Sequence, residues 1–343
     1  MPRVTAAPTT DDLRAWLDAA DEPPPLVVET SGSTGRPKRV LLPRRSVLAS
    51  VRATGRRLGG SGPWVQALPE AYVAGLMVRL RSLVAGHEAS PVDAGWPAGD
   101  GWYTSLVPTQ LLRLLERPDE VAALRRARTV LLGGGPVDAG LRERAADAGV
   151  RVVATYGMAE TCGGCVYDGR PLDGVAVALG AEGRVRLGGP TLFAGYEHDP
   201  EQTAAVLVDG WFLTADAGRL DEDGRLQLLG RLDDMVVSGG VNVPGAVVAA
   251  RLRAHPDVRA AEVVGVDDPE WGRRVVAVVA GRLPLEEARD WVAAEHPRAW
   301  APRALVEVDE VPLLANGKTD RLAVRRLVEE RVEEQVDERG SGR

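Results

Sequence analysis

The stretch that decides the fold is "ARTVLLGGGPVDAGLRERAADAGVRVVATYG", residues 127–157. Its first part, up to residue 136, has the pattern of a strand that ends in glycines, and "VRVVATYG" (150–157) has the pattern of a second strand. A helical pattern over 137–148 separates the two. Strand, helix and strand in succession predict a parallel pair, and therefore an α/β sheet that gathers ligands at the carboxyl ends of its strands.

The same alternation is found earlier in the chain. A short helix is expected over residues 11–20, capped by Thr10 or Asp11, and "LVVET" (26–30) predicts a strand. Residues 44–58 have helical spacing, and "TSLVPTQLLRLLE" (104–116) predicts a strand, a turn and a helix. After residue 174, short strands with Gly and Asp turns predict a β-meander.

The last third of the sequence predicts a separate module. Helices are expected at 244–254 and 284–295 and strands at 260–266, 274–281 and 304–309. The fold class is therefore α/β, with a large N-terminal domain (1–232) of mixed or parallel sheets plus the meander and a small, mobile α+β C-terminal domain (233–343). The charged tail "RRLVEERVEEQVDERGSGR" (325–343) is expected to fray.

Composition limits the classes of function. The chain has 343 residues, 45% hydrophobic and 27% charged, which is typical of a globular protein with a real core. A formal net charge of -7 disfavours a nucleic-acid partner. No apolar run is long enough to span a bilayer, and the N-terminus lacks the apolar core of a signal peptide. We therefore expect a cytoplasmic protein.

Two cysteines, Cys162 and Cys165, lie in "TCGGC". Their spacing is that of a redox pair or of half a zinc site, but the sequence has no second pair to complete a zinc site. The alternative interpretation is two small side chains in a tight glycine-rich loop. The pattern alone leaves both open.

The loop "TSGSTGRPK" (30–38) follows the first strand and combines glycines, hydroxyls and a lysine. Closely spaced backbone N–H groups with glycine between them favour an anion cradle. The loop is not a Walker A motif, because Gly35 is followed by Arg36 and Pro37. "NGKTD" (316–320) fails the same pattern, since Pro312 stands where its first glycine should be. The alternative is an exposed flexible turn.

Four further motifs follow in order: "TYGMAET" (155–161), "LTADAG" (213–218), "GRLDD" (230–234) and "PLLANGKTDR" (312–321). Each is ordinary by itself. Together with the anion loop, at these distances, they resemble the adenylate-forming superfamily of acyl-CoA ligases, luciferases and peptide-synthetase adenylation domains. The resemblance implies that ATP first converts an acid to an acyl-adenylate, which the thiol of CoA then attacks.

A narrower resemblance comes from "YGMAETCGGCVYDGRPLDG" (156–174), "PEAYVAGLMVRLRSLVAG" (69–86) and "SLVPTQLLRLL" (105–115). These segments are similar to the o-succinylbenzoate–CoA ligases of menaquinone biosynthesis, in a short form. Other interpretations stay open: a ligase for another aryl or acyl acid, an enzyme that loads a carrier protein, or a non-catalytic nucleotide-binding homologue.

The resemblance assigns roles around ATP. The loop up to Lys38 cradles the β- and γ-phosphates, Tyr156 stacks on adenine, and Asp216 accepts from the ribose hydroxyls with support from Arg231. The implied ATP contacts are Thr30, Ser31, Gly32, Ser33, Thr34, Gly35, Lys38, Gly133, Gly134, Gly135, Tyr156, Gly157, Asp216 and Arg231.

Catalysis is assigned to Lys318, Glu160 and Thr161. By resemblance, Glu160 and Thr161 lie at the α-phosphate, and Glu160 also holds Mg²⁺, which suits a carboxylate oxygen. Lys318 stabilises the reacting α-phosphate. In the superfamily the small domain swings after adenylation, and Asp233 matches the hinge position.

The acid is expected to be aromatic with two carboxylates, one of which needs a cation. Arg81 falls at the basic position of the subfamily, and Arg79 competes with it. The acid-pocket segment of the subfamily is matched here by Ser105, Leu106, Pro108, Thr109 and Gln110. By the same resemblance, Gly163 and Gly164 leave room for the aromatic ring of the acid. For CoA, Gly239 and Gly240 of "SGGVNV" (238–243) let the pantetheine arm pass closely.

Two features depart from the superfamily pattern. Many relatives carry a histidine in the "PEAYVAG" segment (69–75), where this chain has Ala71 and Tyr72. The chain is also much shorter before the phosphate loop, so we expect a missing or reduced N-terminal subdomain. The wall of the acid pocket is then either smaller or supplied by the partner subunit of a homodimer.

Overall fold

The structure is a computed structural model that describes residues 8–30, 38–137, 139–312 and 319–340. The chain divides into two compact units. The first comprises Met1–Leu179, Val185–Thr214 and Leu220–Gln227, and the second comprises Gly180–Arg184, Ala215–Arg219 and Leu228–Arg343. The domain boundary at residue 232 stays a prediction, as does the mobility of the second domain.

The helices of the first unit are α1 (Thr10–Asp18), α2 (Arg44–Arg57), α3 (Val73–Val84), α4 (Pro108–Leu115), α5 (Pro118–Leu124), α6 (Ala139–Asp147) and α7 (Pro200–Val206). Helix α1 begins one residue earlier than expected. Its N-cap is Thr9, whose hydroxyl accepts from the backbone N–H of Asp12, while the carboxylate of Asp12 accepts from the backbone N–H of Thr9. This reciprocal capping box replaces the predicted cap at Thr10 or Asp11.

A seven-stranded sheet forms the centre of the first unit, in the order β4-β3-β5-β6-β7-β8-β9. Its strands are β3 (Trp64–Gln66), β4 (Ser90–Pro91), β5 (Tyr103–Leu106), β6 (Thr129–Leu132), β7 (Val152–Met158), β8 (Gly163–Tyr167) and β9 (Arg170–Pro171). The pairs from β4 to β7 are parallel, whereas β8 runs antiparallel to β7 and to β9. The predicted parallel pair is confirmed, because Val130 of β6 pairs with Val152 of β7.

A small antiparallel sheet joins distant parts of the same unit. It has the order β1-β2-β12, from β1 (Leu26–Thr30), β2 (Lys38–Leu42) and β12 (Gly195–Tyr196). Thr30 is paired with Lys38, so the two ends of the predicted phosphate cradle lie opposite each other.

The predicted meander forms a five-stranded sheet of order β10-β11-β14-β13, with β15 paired to β14. Its strands are β10 (Ala176–Leu179), β11 (Arg184–Gly188), β13 (Leu207–Val208), β14 (Trp211–Leu220) and β15 (Leu226–Arg231). Gly and Asp residues at the turns, including Asp209 and Gly210 with positive φ, explain why the pattern was recognisable in the sequence.

The second unit confirms the predicted α+β module. Its strands are β16 (Met235–Ser238), β17 (Val241–Pro244), β18 (Val258–Asp268), β19 (Gly272–Gly281) and β20 (Ala304–Val308), and its helices are α8 (Gly245–Arg253), α9 (Leu285–Ala293) and α10 (Arg321–Gly340). Alternate residues of β19 lie in two separate hydrophobic clusters, with Val275 and Ala277 in one and Val276 and Val278 in the other. Both faces of the sheet are therefore covered, as the period of two residues in a strand requires.

The prediction that the charged tail frays was wrong for its first part, residues 325–331. Helix α10 (Arg321–Gly340) includes this part, and its Val324 and Val328 are fully buried. Their spacing of four residues places both on one helix face, which covers the cluster that contains Val276 and Val278. Because the segment is rich in Arg and Glu, this short apolar stripe was not recognised in the sequence. In the described part of the chain, no helix is long and apolar enough to cross a membrane.

Candidate active site

Four parallel strands of the central sheet end at the same edge, and a predicted site segment follows each of them. The "PEAYVAG" segment follows β3, Thr109 follows β5, Gly133–Gly135 follow β6, and Glu160 follows β7. Loops at the carboxyl ends of parallel strands are where α/β sheets bind ligands. The edge therefore brings together residues that are up to 91 positions apart in the sequence, from Pro69 to Glu160.

The glycine loop after β6 is held close to β7. A Cβ atom on Gly133 would overlap Oγ1 of Thr155, so only glycine fits there. The backbone N–H of Gly133 donates to the carbonyl oxygen of Leu106 (3.2 Å). The loop consequently lies between the ends of β5 and β7, next to the residue that precedes Tyr156. The proposed contact of this loop and of Tyr156 with adenine stays a prediction.

The turn that follows β7 is closed by its own backbone and by one hydroxyl. A Cβ atom on Gly157 would overlap the carbonyl oxygen of Gly163, so the hairpin of β7 and β8 can close only on glycine. Oγ1 of Thr161 accepts from the backbone N–H of Met158 (3.0 Å) and lies 2.7 Å from the carbonyl oxygen of Gly163. Thr161 is fully buried, and its hydroxyl fixes the shape of the turn. Its role at the α-phosphate stays a prediction.

Glu160 is a buried carboxylate with a defined partner. It is 8% exposed, and its Oε1 accepts a hydrogen bond from the hydroxyl of Tyr196 (2.8 Å). Its backbone carbonyl accepts from the N–H of Phe193 (2.9 Å). Burial raises the pKa of Tyr196 far above its usual range, and the neighbouring charge of Glu160 raises it further, so the tyrosine is protonated and donates to the carboxylate.

Lys38 lies over the ring of the same tyrosine. Its Nζ is 5.2 Å from the centroid of the Tyr196 ring, within the range of a cation–π contact. Among the described residues, neither Lys38 nor Glu160 takes part in an ion pair. Beside Tyr196, the described residues thus include a cation and a carboxylate that form no ion pair.

Tyr196 was missed by the sequence analysis. It lies in the two-residue strand β12, and it meets Glu160 only because β12 pairs with β2 across a separation of more than 150 residues. No local sequence pattern predicts the pairing of two strands so far apart in the chain. The one available signal was a tyrosine after a glycine just before the capped helix α7.

Arg81 is a buried cation on α3 with no counter-ion in the described part of the chain. It is 5% exposed, and its Nε atom is buried without a hydrogen-bond partner. Its guanidinium lies over the ring of Trp64, 5.2 Å from the centroid. A Cβ atom on Gly163 would lie 4.0 Å from Nη2 of Arg81, so the arginine faces the turn that carries Glu160. A buried charge normally has a partner, which makes Arg81 a candidate ligand contact.

Arg79, the competing arginine, has structural partners. It is 7% exposed and forms an ion pair with Glu70 (2.8 Å). It also donates to the carbonyl oxygen of Pro8 (2.6 Å) and to the hydroxyl of Thr10 (3.3 Å). These contacts tie α3 to the start of α1. Of the two arginines, Arg81 is the one left for a ligand.

The remaining predicted acid-pocket residues lie near the same edge. Ser105 is buried in β5 and pairs with Leu131, and Thr109 lies in the first turn of α4. Gly164 packs inward, since a Cβ atom there would lie 3.0 Å from both Thr155 and Tyr167. Their contacts with an acid, and those of Gly163, stay predictions.

The two cysteines lie in the hydrophobic core of the first unit. Both are fully buried and free, and burial raises the pKa of each to about 12. Cys162 adopts the left-handed backbone conformation at the end of the turn (φ 53°). The described residues contain no group of three or more His, Cys, Asp or Glu that could hold a metal ion. The interpretation as two small side chains in a tight loop fits these observations.

The second unit contains the other predicted residues. Asp216 is half-buried on β14, and Arg231 forms an ion pair with Asp233 (3.3 Å). Gly239 and Gly240 form the two-residue turn between β16 and β17, both with positive φ, as in a type I′ hairpin. The roles of these residues in binding and hinge motion stay predictions.

Two predicted groups fall outside the described residues. These are Ser31, Gly32, Ser33, Thr34 and Gly35 of the phosphate cradle, and the catalytic Lys318. Thr30 and Lys38, which flank the cradle, are the last residue of β1 and the first residue of β2.

The arrangement is that of a nucleotide-binding α/β domain followed by a smaller module, and comparison with known families agrees. Residues 18–197 match the AMP-binding enzyme family, and residues 248–318 match the AMP-binding enzyme C-terminal domain. The chain belongs to the AMP-binding enzyme family.

Individual proteins similar to this chain indicate a narrower group within the family. A probable 2-succinylbenzoate–CoA ligase of Mycobacterium tuberculosis is 41% identical over an alignment of 357 positions, which covers 96% of this chain and 92% of that protein. The structure of o-succinylbenzoate CoA synthetase (MenE) from Bacillus subtilis, in complex with the acyl-adenylate intermediate OSB-AMP, matches with a TM-score of 0.72 and 27% identity, over 85% of this chain and 67% of that one. The same B. subtilis enzyme in complex with ATP and magnesium ion matches with a TM-score of 0.71 and 26% identity, over 85% and 68% of the two chains.

Proposed function

We propose that this protein is an ATP-dependent ligase that joins o-succinylbenzoate to CoA through an acyl-adenylate, a step of menaquinone biosynthesis. The observation that carries the proposal is Arg81, a buried cation without a carboxylate partner among the described residues. A pocket for a monocarboxylic acid has no use for such a charge, whereas an acid with a second carboxylate would pair with it. The similarity to the M. tuberculosis and B. subtilis proteins supports the same acid.

The chemistry requires two steps, because a carboxylate is a poor electrophile. One acid oxygen attacks the α-phosphorus of ATP, pyrophosphate leaves, and a mixed anhydride forms. The CoA sulfur then attacks the acyl carbon, and AMP leaves. Negative charge shifts in both steps, so positioned cations and N–H donors provide most of the stabilisation.

The residues present suit ATP with Mg²⁺. Within the described residues, Glu160 offers a buried carboxylate with no ion pair, and Lys38 offers an ammonium with no ion pair at the end of the cradle. We assign Glu160 to the metal and Lys38 to the phosphates. Mg²⁺, when bound, supplies charge that offsets the phosphate oxygens. The similar enzyme solved with ATP and a magnesium ion supports the choice of these two ligands.

Lys318 and the second unit complete the proposal. Lys318 would stabilise the α-phosphate during adenylation, and a rotation at Asp233 would then exchange it for the Gly239–Gly240 turn beside the CoA arm. Glycines at the tip of an exposed hairpin suit the passage of a narrow chain. Because ATP and CoA are cytoplasmic, we place the reaction in the cytoplasm. Assembly as a homodimer stays a prediction that the mass in solution would test.

The test is pyrophosphate release with ATP, Mg²⁺ and CoA on a panel of acids. Two analogues isolate the two carboxylates: 3-benzoylpropanoate lacks the one on the ring, and 2-butanoylbenzoate lacks the one on the chain. We expect o-succinylbenzoate to exceed both in kcat/KM by at least about tenfold, the effect of one charge-assisted contact. If benzoate or a fatty acid is the better substrate, the assignment of the acid is wrong. If no acid supports release, the enzyme assignment fails as well.

A further inference from the structure

Tyr196 is the side chain through which the predicted metal ligand and the predicted phosphate lysine are connected. Its hydroxyl donates to Oε1 of Glu160 at 2.8 Å, and its ring lies 5.2 Å from Nζ of Lys38. The tyrosine is 6% exposed. The family match does not explain why an aromatic hydroxyl should be placed on this carboxylate.

The backbone on one side of Tyr196 is fixed to β2. Tyr196 pairs with Val40, the N–H of Ala194 donates to the carbonyl of Leu41 (2.9 Å), and the N–H of Glu197 donates to the carbonyl of Arg39 (2.8 Å). The side chains of Arg39 and Glu197 also form an ion pair. Strand β12 therefore has a fixed register on the strand that begins at Lys38.

The other side of the same segment is fixed to the turn after β7. The N–H of Phe193 donates to the backbone carbonyl of Glu160 (2.9 Å), and the hydroxyl of Tyr196 holds its carboxylate. The ring of Phe193 packs edge-on against the ring of Tyr196, with centroids 5.1 Å apart. Glu160 is thus held at its main chain and at one carboxylate oxygen by residues only three positions apart.

We propose that Tyr196 is a positioning residue for the divalent cation: it occupies Oε1 of Glu160, so that the carboxylate presents its other oxygen to the metal. Its ring, in contact with Lys38, keeps the lysine available to phosphate rather than paired with Glu160. The inference rests on the proposed function for the assignment of Glu160 to Mg²⁺. Partners that orient a ligand in this way typically change metal affinity by about 10- to 100-fold when removed.

The test measures metal binding directly, with Tyr196→Phe and a matched control. Tyr167→Phe also removes a buried tyrosine hydroxyl from the same unit, but that hydroxyl is hydrogen-bonded to Thr54 (3.1 Å) rather than to a carboxylate. Mn²⁺ binding is followed by electron paramagnetic resonance in the complex with α,β-methylene-ATP. We expect Tyr196→Phe to raise the Kd of Mn²⁺ by about tenfold or more, and Tyr167→Phe to leave it within about twofold.

A double-mutant cycle separates positioning from general damage. In a Glu160→Gln background, Tyr196→Phe should have no further effect on the Kd of Mn²⁺, whereas a merely structural role would weaken binding equally in both backgrounds. An unchanged Kd in Tyr196→Phe, or equal losses in the two backgrounds, would overturn the inference.

The unaltered protein provides a second measurement if Tyr196→Phe does not fold. In a crystal structure with α,β-methylene-ATP and Mg²⁺, the bond from Tyr196 to Oε1 should persist while the other carboxylate oxygen faces the metal. A metal-bound Glu160 that has released Tyr196 would contradict the inference. Pyrophosphate release by the wild-type protein is scored separately, so a failure of the proposed function is distinguishable from a failure of this one.

Discussion

Replacing Arg81 with methionine should have opposite effects on substrate binding and on stability. Methionine keeps much of the length of the buried stem and removes the charge. Arg81 is 5% exposed, its Nε has no hydrogen-bond partner, and its described contacts include the ring of Trp64. The charge is therefore expected to be used only when the acid is bound.

The size of the effect on binding follows from the hydrogen bond to the acid that the substitution removes. A hydrogen bond to a charged group contributes about 1.5–3 kcal/mol, and each 1.4 kcal/mol corresponds to about a factor of ten. The KM for o-succinylbenzoate should rise about 10- to 150-fold, with the KM for ATP nearly unchanged. Without ligand, an uncompensated buried charge costs about 3–5 kcal/mol, only partly offset by a cation–π contact of about 0.5–2 kcal/mol. The Tm of the unliganded Arg81→Met protein should therefore rise.

Arg79→Met is the matched control, two residues away on the same helix and equally buried. It breaks the ion pair with Glu70 and the bonds to Pro8 and Thr10, so the Tm should fall while the KM for the acid stays within about threefold. The assays are steady-state pyrophosphate release and thermal unfolding. An unchanged acid KM in Arg81→Met, or a fall in its Tm comparable to that of Arg79→Met, would refute the reasoning.

Further predictions concern the cysteines, the exposed hairpin and the catalytic lysine. Because burial raises the pKa of both thiols to about 12, only about one thiol in ten thousand is ionised at pH 8. Iodoacetamide should therefore label the two cysteines in guanidinium but not in the native protein. Labelling of the native protein that is complete within minutes would contradict their burial. Gly239→Ala should reduce thioester formation more than Gly240→Ala, since only the former brings a Cβ atom to 2.7 Å from the ring of Trp271; equal effects in a CoA-dependent assay would show that backbone strain alone matters. Lys318→Ala should lose acyl-adenylate formation yet still convert chemically supplied acyl-adenylate with CoA, and equal loss of both half-reactions would argue against a domain movement.

Local patterns in the sequence were sufficient to predict most of the architecture. Strand β1 has its predicted bounds, Leu26–Thr30, and the five elements predicted for the second unit lie within two residues of their predicted bounds. The first part of the tail was mispredicted because Val324 and Val328 lie in a stretch rich in Arg and Glu, and two valines do not reveal the sheet face that buries them.

The site was harder to predict than the fold because its decisive contacts join distant segments. Arg79 and Arg81 look alike on α3, and only the position of Glu70 and of the start of α1 shows which of them has a partner. Tyr196 reaches Glu160 through a strand pairing that no short pattern encodes. Sequence motifs can name residue types at a site, but the partner of each charge depends on the packing.

The glycines around β7 have a consequence for altering this protein. Gly133 and Gly157, which are assigned to ATP, admit no side chain because backbone or hydroxyl atoms already fill the space, so these two positions cannot be varied. Position 81 on helix α3 differs, because it already carries a long side chain, which extends toward Gly163. A library intended to change acid preference should therefore vary helix α3 and leave the hairpin of β7 and β8 untouched, and selected variants should accumulate substitutions on that helix.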